Sequence, residues 1–254
     1  MIMRTALRMV ASVEGAGHAL ILLMRTASWL PWLWRKRNET VAQMASCAFG
    51  GLLVSLIVGM FSGMVLALQS GNTLQKWGQE ELIAIVVPAA MVREMGPVMT
   101  GFILAGLVGS TMAAEVGTMS VSEEIDALEV MSINPVYFLA LPRVFALALV
   151  SPLLTLFADV IGIFGGAFVG DRILGLSYTT YIKHTMDTLE LKDIYSGLLK
   201  AVVFGILISG VGCSQGMRAR GGAEGVGNAT MRTVVISFVF ILVFDYILTW
   251  AVYQ

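Results

Sequence analysis

The sequence has little charge and few of the residues that carry catalytic chemistry. Asp, Glu, Lys and Arg make up 13% of its 254 residues, about half the share usual in a globular protein. Only two cysteines occur, Cys47 and Cys213, in or beside apolar runs, so a disulfide framework is excluded by count. The net charge is −1 and there is no long basic run, which argues against a nucleic-acid partner. With 57% hydrophobic residues, the composition indicates a membrane protein.

Nucleotide-binding and hydrolytic motifs are also missing. No G-x-x-x-x-G-K-[ST] occurs, so the chain cannot bind nucleotide phosphates in a P-loop, and any ATP must be hydrolysed by a partner. The glycine-rich stretch 221–227 follows no strand and is interpreted as a cytoplasmic turn. No H-E-x-x-H occurs, and the only histidines, His18 and His184, are far apart in sequence. We therefore expect no cofactor, no metal and no enzymatic reaction in this chain.

Five long apolar runs predict an all-α polytopic membrane protein with five transmembrane helices. They cover about residues 47–69, 82–114, 144–170, 196–214 and 233–253. The second run would be about 50 Å long as one helix, against a hydrocarbon core of roughly 30 Å. We therefore expect it to break or emerge near Arg93-Glu94 and Gly96-Pro97.

Residues 1–34 are predicted to form an interfacial helix, and residues 35–254 the transmembrane domain. Trp29, Trp32 and Trp34 are typical of the headgroup level, and the basic stretch 35–37 should stay cytoplasmic. Five spans then place loops 115–143 and 215–232 inside, and 70–81, 171–195 and the C-terminus outside. Ten of the sixteen Lys and Arg fall inside and four outside, which the positive-inside rule favours. A short amphipathic helix is expected within 171–193.

A polar island at 115–143 interrupts the apolar runs. Its sequence predicts a helix over about 120–131, with Ser120 and Glu123 as a capping box and Asn134-Pro135 ending it. Val121, Ile125 and Leu128 would share one stripe, and the rest of the surface is acidic through Glu123, Glu124, Asp126 and Glu129. Periodicity alone leaves two interpretations open: a solvated loop helix resting on its own membrane domain, or a surface recognised by a partner.

Five charged residues fall at membrane depth: Arg93, Glu94, Asp159, Lys200 and Asp245. Each central charge costs about 2.5–3.5 kcal/mol on insertion scales, so they must pair, lie near interfaces or face a wet cavity. Structural ion pairs and a functional cavity both remain open from the residues alone.

The run from Glu94 to Pro142 closely resembles the MlaE (YrbE) family, the permease subunits of lipid ABC transporters that work with MCE-domain proteins. The resemblance rests on E-M-G-P-V, on A-A-E-V-G-T-M-x-V-x-E-E-I-D-A-L-E-V-M-x-x-N-P and on L-P-R, with weaker similarity near Pro152 and Gly221. Relatives usually have A-G-R-V-G where this chain has Leu107 in place of the arginine.

The resemblance implies the positions of two sites. The acidic segment would be the coupling helix that docks in an ATP-binding cassette ATPase, through Glu123, Glu124, Ile125, Asp126, Leu128 and Glu129. A cavity at a homodimer interface, open to the periplasmic side, would take up a phospholipid and be lined by Arg93, Glu94, Lys200, Gln69 and Asp245. Arg93 and Lys200 are the side chains suited to its phosphate.

We therefore predict a permease subunit of a phospholipid ABC transporter in a bacterial inner membrane, with an MCE-domain partner, serving outer-membrane lipid asymmetry or lipid trafficking. The alternative is an ion-coupled secondary transporter that uses Glu94, Asp159 and Asp245. A membrane-embedded enzyme lacks a credible nucleophile and base pair.

Overall fold

The computed structural model describes residues 17–254, and that part of the chain is helical with no strand. Its α-helices are α1 (17–28), α2 (Arg37–Gln75), α3 (Ile83–Ala90), α4 (Gly96–Leu104), α5 (Ser110–Val121), α6 (Glu124–Val130), α7 (Leu141–Arg172), α8 (Tyr178–Thr188), α9 (Leu191–Met217) and α10 (Gly222–Tyr253). A 3₁₀ helix, Leu30–Lys36, joins α1 to α2, and π-helical segments lie at Met91–Met95, Ala105–Gly109 and Val136–Ala140. The predicted all-α class is confirmed.

The described residues contain five helices that are long and apolar enough to cross a membrane, as predicted. These spans are Trp34–Gln75, Glu80–Val121, Val136–Arg172, Leu191–Met217 and Gly222–Tyr253. Each is longer than its predicted apolar window because the helix continues through polar flanks. The loops predicted at 115–143 and 215–232 are correspondingly wrong in extent, since the breaks between spans shrink to 122–135 and 218–221. The chain is a multi-pass membrane protein.

The second span is interrupted where the sequence predicts a break. The π-helical segment Met91–Met95 separates α3 from α4 and contains Arg93 and Glu94. Such segments insert one extra residue in a turn and often occur at functional sites. The chain stays helical through the interruption and changes its helical register there.

A proline inside α3 is accommodated by a side chain from α8. Pro88 has no N–H, so the carbonyl of Ala84, four residues earlier, loses its helical donor. The Thr185 hydroxyl donates to that carbonyl at 3.1 Å. Tyr181 of the same helix is fully buried, and burial raises the pKa of its phenol. The helix predicted within 171–193 is thus α8, and it packs closely on α3.

The predicted capping box is wrong. Ser120 lies in the last turn of α5, and its hydroxyl donates to the carbonyls of Met217 and Ala219, both at 3.2 Å. The short acidic helix is α6, seven residues long, and Glu123 before it adopts a left-handed conformation with φ 61° and makes no side-chain cap. The serine hydroxyl is engaged by a neighbouring turn, and the short helix begins at Glu124 instead of at Ser120.

The chain divides into two compact units. Unit 1 comprises residues up to 50, 101–150 and 202–244, and unit 2 comprises 51–100, 151–201 and 245–254. Unit 1 contains α6, and its core includes Val116, Ile125 and Leu139. Unit 2 contains α8 and all five intramembrane charges that the sequence singles out.

The N-terminal helix packs in unit 1. Within the described residues, Ala19 contacts Val211 and Ile236, and Leu22 contacts Ala140 and Cys213. Residues 1–16, and the side chain of Trp32, lie outside the described residues. That this region is an interfacial helix, and a region separate from the transmembrane domain, stays a prediction.

In unit 2, α2 and α7 meet through small residues. A Cβ added at Gly63 would fall on the carbonyl of Gly162, and one added at Gly59 would lie 2.6 Å from the carbonyl oxygen of Ala158. The two backbones therefore approach as closely as the absence of side chains allows.

Candidate functional site

Unit 2 contains a cavity of about 290 Å³ beside the first π-helical segment. It is lined by Ala89, Ala90, Arg93, Glu94, Thr249 and Tyr253. Two small alanines form the apolar wall, and a cation, a carboxylate, a hydroxyl and a phenol form the rest. The π-helical segment supplies the two charged residues, and the last turns of α10 supply Thr249 and Tyr253.

Lys200 lies buried next to Glu94, one of the charged residues that line this cavity. Its side chain is 1% exposed, and Nζ lies 2.8 Å from Glu94 Oε2 and 2.9 Å from Asp245 Oδ1. The Thr249 hydroxyl, which has one hydrogen to donate, lies 3.0 Å from Glu94 Oε1 and 2.8 Å from the carbonyl oxygen of Asp245. A buried ammonium is stable in a bilayer only with partners of this kind. Lys200, Glu94 and Asp245, predicted separately from sequence, therefore form one network.

The position of Lys200 follows from a second proline. Pro97 lacks an N–H, so the carbonyl of Arg93 loses its α-helical donor, and Lys200 Nζ donates to it at 2.9 Å. Gly197, three residues before Lys200, faces the carbonyl of Val92 so closely that a Cβ there would collide with it. A glycine therefore lets α9 approach the π-helical segment, and the lysine bonds the open carbonyl.

Arg93 forms a second network. Its Nη2 donates a hydrogen bond to Asp193 Oδ2 at 2.9 Å, and its Nε lies 2.8 Å from Asp193 Oδ1, so the guanidinium and the carboxylate form a salt bridge with one hydrogen bond. Tyr253 Oη donates to Asp193 Oδ1 at 3.0 Å and lies 3.1 Å from Ser196 Oγ. The Arg93 guanidinium also lies 5.3 Å from the centre of the Tyr253 ring. The arginine is thereby held at the cavity with part of its surface free.

The networks bury one partner of each pair and leave the other accessible. The Arg93 side chain is 41% exposed and its partner Asp193 2%, while Glu94 is 36% exposed and its partner Lys200 1%. Arg93 and Glu94 are therefore the charged groups that a ligand in the cavity would meet. Lys200 is surrounded by protein acceptors, so its predicted contact with a phosphate stays a prediction.

Two other predicted residues lie apart from the networks. Gln69 is exposed on α2 and does not line the cavity. Asp159 is 4% exposed on α7, its Oδ1 packs against Gly96, and that oxygen has no hydrogen-bond partner within residues 17–254. Their functional roles stay predictions.

Four residues of the networks were not predicted from sequence: Asp193, Ser196, Thr249 and Tyr253. Thr249 follows Asp245 by four positions, so both share one face of α10, and Asp193 precedes Lys200 by two helical turns on α9. Thr249 and Asp193 could be predicted from these spacings once Asp245 and Lys200 are recognised as a pair. Tyr253 and Ser196 carry no such signal in the sequence.

The second candidate site lies on unit 1 around α6. Ile125 is buried and Leu128 half-buried against Val116 and Leu139, while Glu123, Glu124, Asp126 and Glu129 are exposed. A groove of about 1320 Å³ runs beside the helix, with Glu123, Asp126 and Glu129 on one side and His18, Arg25 and Arg220 among its other lining residues. Of the predicted apolar stripe, Ile125 and Leu128 thus pack on the protein, whereas Val121 ends α5 and is not part of α6; the acidic side chains are exposed.

Metal chemistry has no support in the part of the chain that the structure describes. No group of three or more His, Cys, Asp and Glu side chains comes together there to hold a metal ion. Cys47 and Cys213 are both buried and unpaired by disulfide.

Leu107, which stands where relatives usually have an arginine, lies in the second π-helical segment, and its side chain is 41% exposed.

Comparisons with known proteins agree with this architecture. The family model described as permease MlaE matches residues 40–251. A probable ABC transporter permease protein of Rickettsia typhi is 44% identical over 207 residues, which cover 82% of this chain and 80% of that protein. A probable ABC transporter permease protein of Synechocystis is 34% identical, covering 86% and 83%. The chloroplastic protein TRIGALACTOSYLDIACYLGLYCEROL 1 of Arabidopsis thaliana is 36% identical, covering 87% and 62%.

Proposed function

Because the chain belongs to the MlaE permease family, we propose that it is the membrane subunit of an ABC transporter that moves phospholipid between the bacterial inner membrane and an MCE-domain partner. The role would be outer-membrane lipid asymmetry or lipid trafficking. This chain would be the transport subunit, and a separate ATPase would hydrolyse ATP. The relative from Arabidopsis is named for trigalactosyldiacylglycerol, a glycolipid, which supports a lipid as cargo.

The observation that carries the proposal is the cavity of unit 2. The cation Arg93 and the anion Glu94 line it as adjacent residues, and each is paired with a buried side chain of opposite charge. Fixed, partly exposed charges next to an apolar wall suit an amphipathic ligand with a charged headgroup. A second copy of the chain would complete the cavity in the proposed homodimer; exposed apolar faces such as those of Phe61 on α2 and Trp250 on α10 could contact that copy or lipid tails.

The acidic face of α6 would bind the ATPase. Seven residues anchored by Ile125 and Leu128 form a short, firmly seated element, so force applied to its outer face is passed to the core of unit 1. Closure of the ATPase would move α6 as a lever, and the spans attached to it would shift.

The test of the docking role is charge reversal on that face. Replacing Glu123, Asp126 and Glu129 together by Lys should remove the ATPase from the purified complex, because attraction to a complementary surface becomes repulsion. The control replaces three exposed acids of unit 2 by Lys: Glu81, Asp187 and Glu190. It should keep the ATPase. Co-purification of ATPase with the first variant at the wild-type ratio would contradict the docking role.

An ion-coupled transporter remains the second candidate because Asp159 is buried and Asp159 Oδ1 has no hydrogen-bond partner in the described residues. Against it, Glu94 and Asp245 are both engaged by Lys200. Transport at matched expression separates the two functions. In the lipid transporter, Arg93→Ala or Lys200→Ala should reduce bound lipid, and Glu94→Gln should be milder than Glu94→Lys, which adds repulsion beside Arg93. If Glu94→Gln is as inactive as Glu94→Lys and both basic variants behave as wild type, the lipid cavity is wrongly assigned.

A further inference from the structure

We infer that the cavity of unit 2 selects phospholipids whose headgroup carries both a phosphate and a primary amine, as in phosphatidylethanolamine. The inference rests on the proposed function and adds a headgroup class to it. It follows from the N–H donors of Arg93 and the acceptor positions of Glu94 that the two networks leave unused.

Arg93 keeps donors for a phosphate. A guanidinium has five N–H groups in a planar fork, and Asp193 engages only Nε and one N–H of Nη2. The remaining donors belong to a side chain that lines the cavity and is 41% exposed overall. Arginine with open donors in a fixed orientation is the side chain best suited to binding phosphate oxygens.

Glu94 keeps acceptors for an amine. Each of its carboxylate oxygens lies within hydrogen-bond distance of one protein donor, Thr249 at Oε1 and Lys200 at Oε2. An ionised carboxylate offers about four lone-pair positions, so each oxygen keeps at least one, and the side chain lines the same cavity and is 36% exposed overall. A primary ammonium donates three hydrogen bonds, whereas a quaternary ammonium donates none.

The charges around Glu94 favour a cation there. Asp193 is paired with Arg93, but Lys200 is the single cation paired with two carboxyl groups, those of Glu94 and Asp245. Lys192 lies 5.3 Å from the Tyr253 ring and is exposed to solvent, so its charge is screened. An ammonium at Glu94 completes the balance, and a headgroup with only a phosphate does not.

The size of the cavity places the selection at the headgroup. A volume of about 290 Å³ accommodates a phosphoethanolamine group but not two acyl chains. Adjacent residues of one π-helical segment present the cationic and anionic sites, so a ligand that bridges them must carry both charges within a few bonds. A lipid headgroup and a free headgroup share this chemistry, and the experiment below separates them.

The experiment measures which lipids the purified complex retains. The complex is incubated with mixed micelles of phosphatidylethanolamine, phosphatidylcholine and phosphatidylglycerol in equal amounts, re-purified, and its bound lipids are quantified by mass spectrometry. One hydrogen bond between charged groups predicts about tenfold enrichment of phosphatidylethanolamine over phosphatidylglycerol. Asp245→Asn removes one of the two carboxyl groups that share Lys200 and keeps Glu94, so the ratio should fall towards one. Glu81→Gln, an exposed acid that does not line the cavity, should keep the wild-type ratio.

Each outcome of the lipid-retention experiment bears on either the headgroup inference or the transporter assignment. Lipid bound in the proportions of the mixture would overturn the headgroup inference and leave the transporter assignment standing. No lipid bound to the wild-type complex would overturn the assignment itself. Displacement of the lipid by millimolar glycerophosphoethanolamine would show that the site takes free headgroups, and would overturn selection of a membrane lipid.

Discussion

The hydrogen bond from α8 to the proline kink in α3 gives a sharp test of how unit 2 is held together. Thr185 is 6% exposed, and its hydroxyl donates at 3.1 Å to the carbonyl of Ala84, which is 0% exposed. Thr185→Val keeps the shape of the side chain and removes the donor. Because Pro88 supplies no N–H, the carbonyl would be left unpaired in a buried position.

Leaving a buried polar group unpaired costs about 1–3 kcal/mol. A protein of this size loses about 2–4 °C of melting temperature per kcal/mol, so Thr185→Val should melt about 2–12 °C lower than the wild type. Pro88→Ala restores an N–H four residues after Ala84, and the helix can then bond its own carbonyl. In that background the effect of Thr185→Val should fall to less than half.

The four proteins of this cycle are purified in one detergent, and their melting is followed by intrinsic fluorescence. Thr179→Val is the matched control, since Thr179 is an exposed threonine of the same helix, and its melting temperature should stay within about a degree of the wild type. Equal losses from Thr185→Val with and without Pro88 would refute the reasoning, because the hydroxyl would then not be replacing the missing helical donor.

Three further outcomes are expected. Lys200→Met should lower stability by about 3–5 kcal/mol because it leaves two carboxylates without their cation, and adding Asp245→Asn should recover part of the loss in a melting assay; no recovery would contradict the shared pairing. Gly63→Val should abolish a monodisperse peak in size-exclusion chromatography because its side chain meets the carbonyl of Gly162, while Gly106→Ala, which has open space, should not. A cysteine added at the C-terminus should react with an impermeant thiol reagent in intact spheroplasts; labelling only after lysis would overturn the predicted topology.

The span count was predictable from the sequence because apolar runs longer than the hydrocarbon core are a strong signal. The span ends were not, since a helix such as α2, with 39 residues and about 58 Å, continues well past the apolar window. The capping box failed for a different reason. Ser120 has the right residue type and spacing, but its hydroxyl is taken by carbonyls 97 and 99 residues further on.

The candidate site was predictable by residue type and not by pairing. Charges at membrane depth identified Arg93, Glu94, Lys200 and Asp245, because such residues need partners. Which partner each one has depends on how helices distant in sequence meet: Lys200 is 106 residues from Glu94, and Arg93 is 100 residues from Asp193. The contact of Lys200 with the carbonyl of Arg93 was predictable in part, because Pro97 has no N–H to donate to the carbonyl four residues before it.

The contact between α2 and α7 constrains which surfaces of unit 2 can move. Helices that touch through side chains can slide by changing rotamers, whereas Gly63 and Gly162 meet backbone to backbone and have no rotamers to change. Sliding would force one main chain over another, so α2 and α7 are expected to move together as a rigid pair within the unit. The surface that can adjust is the one joined by long side chains, where Lys200 and Arg93 reach carboxylates across helices. Shape change at the cavity is therefore expected as exchange of ion-pair partners.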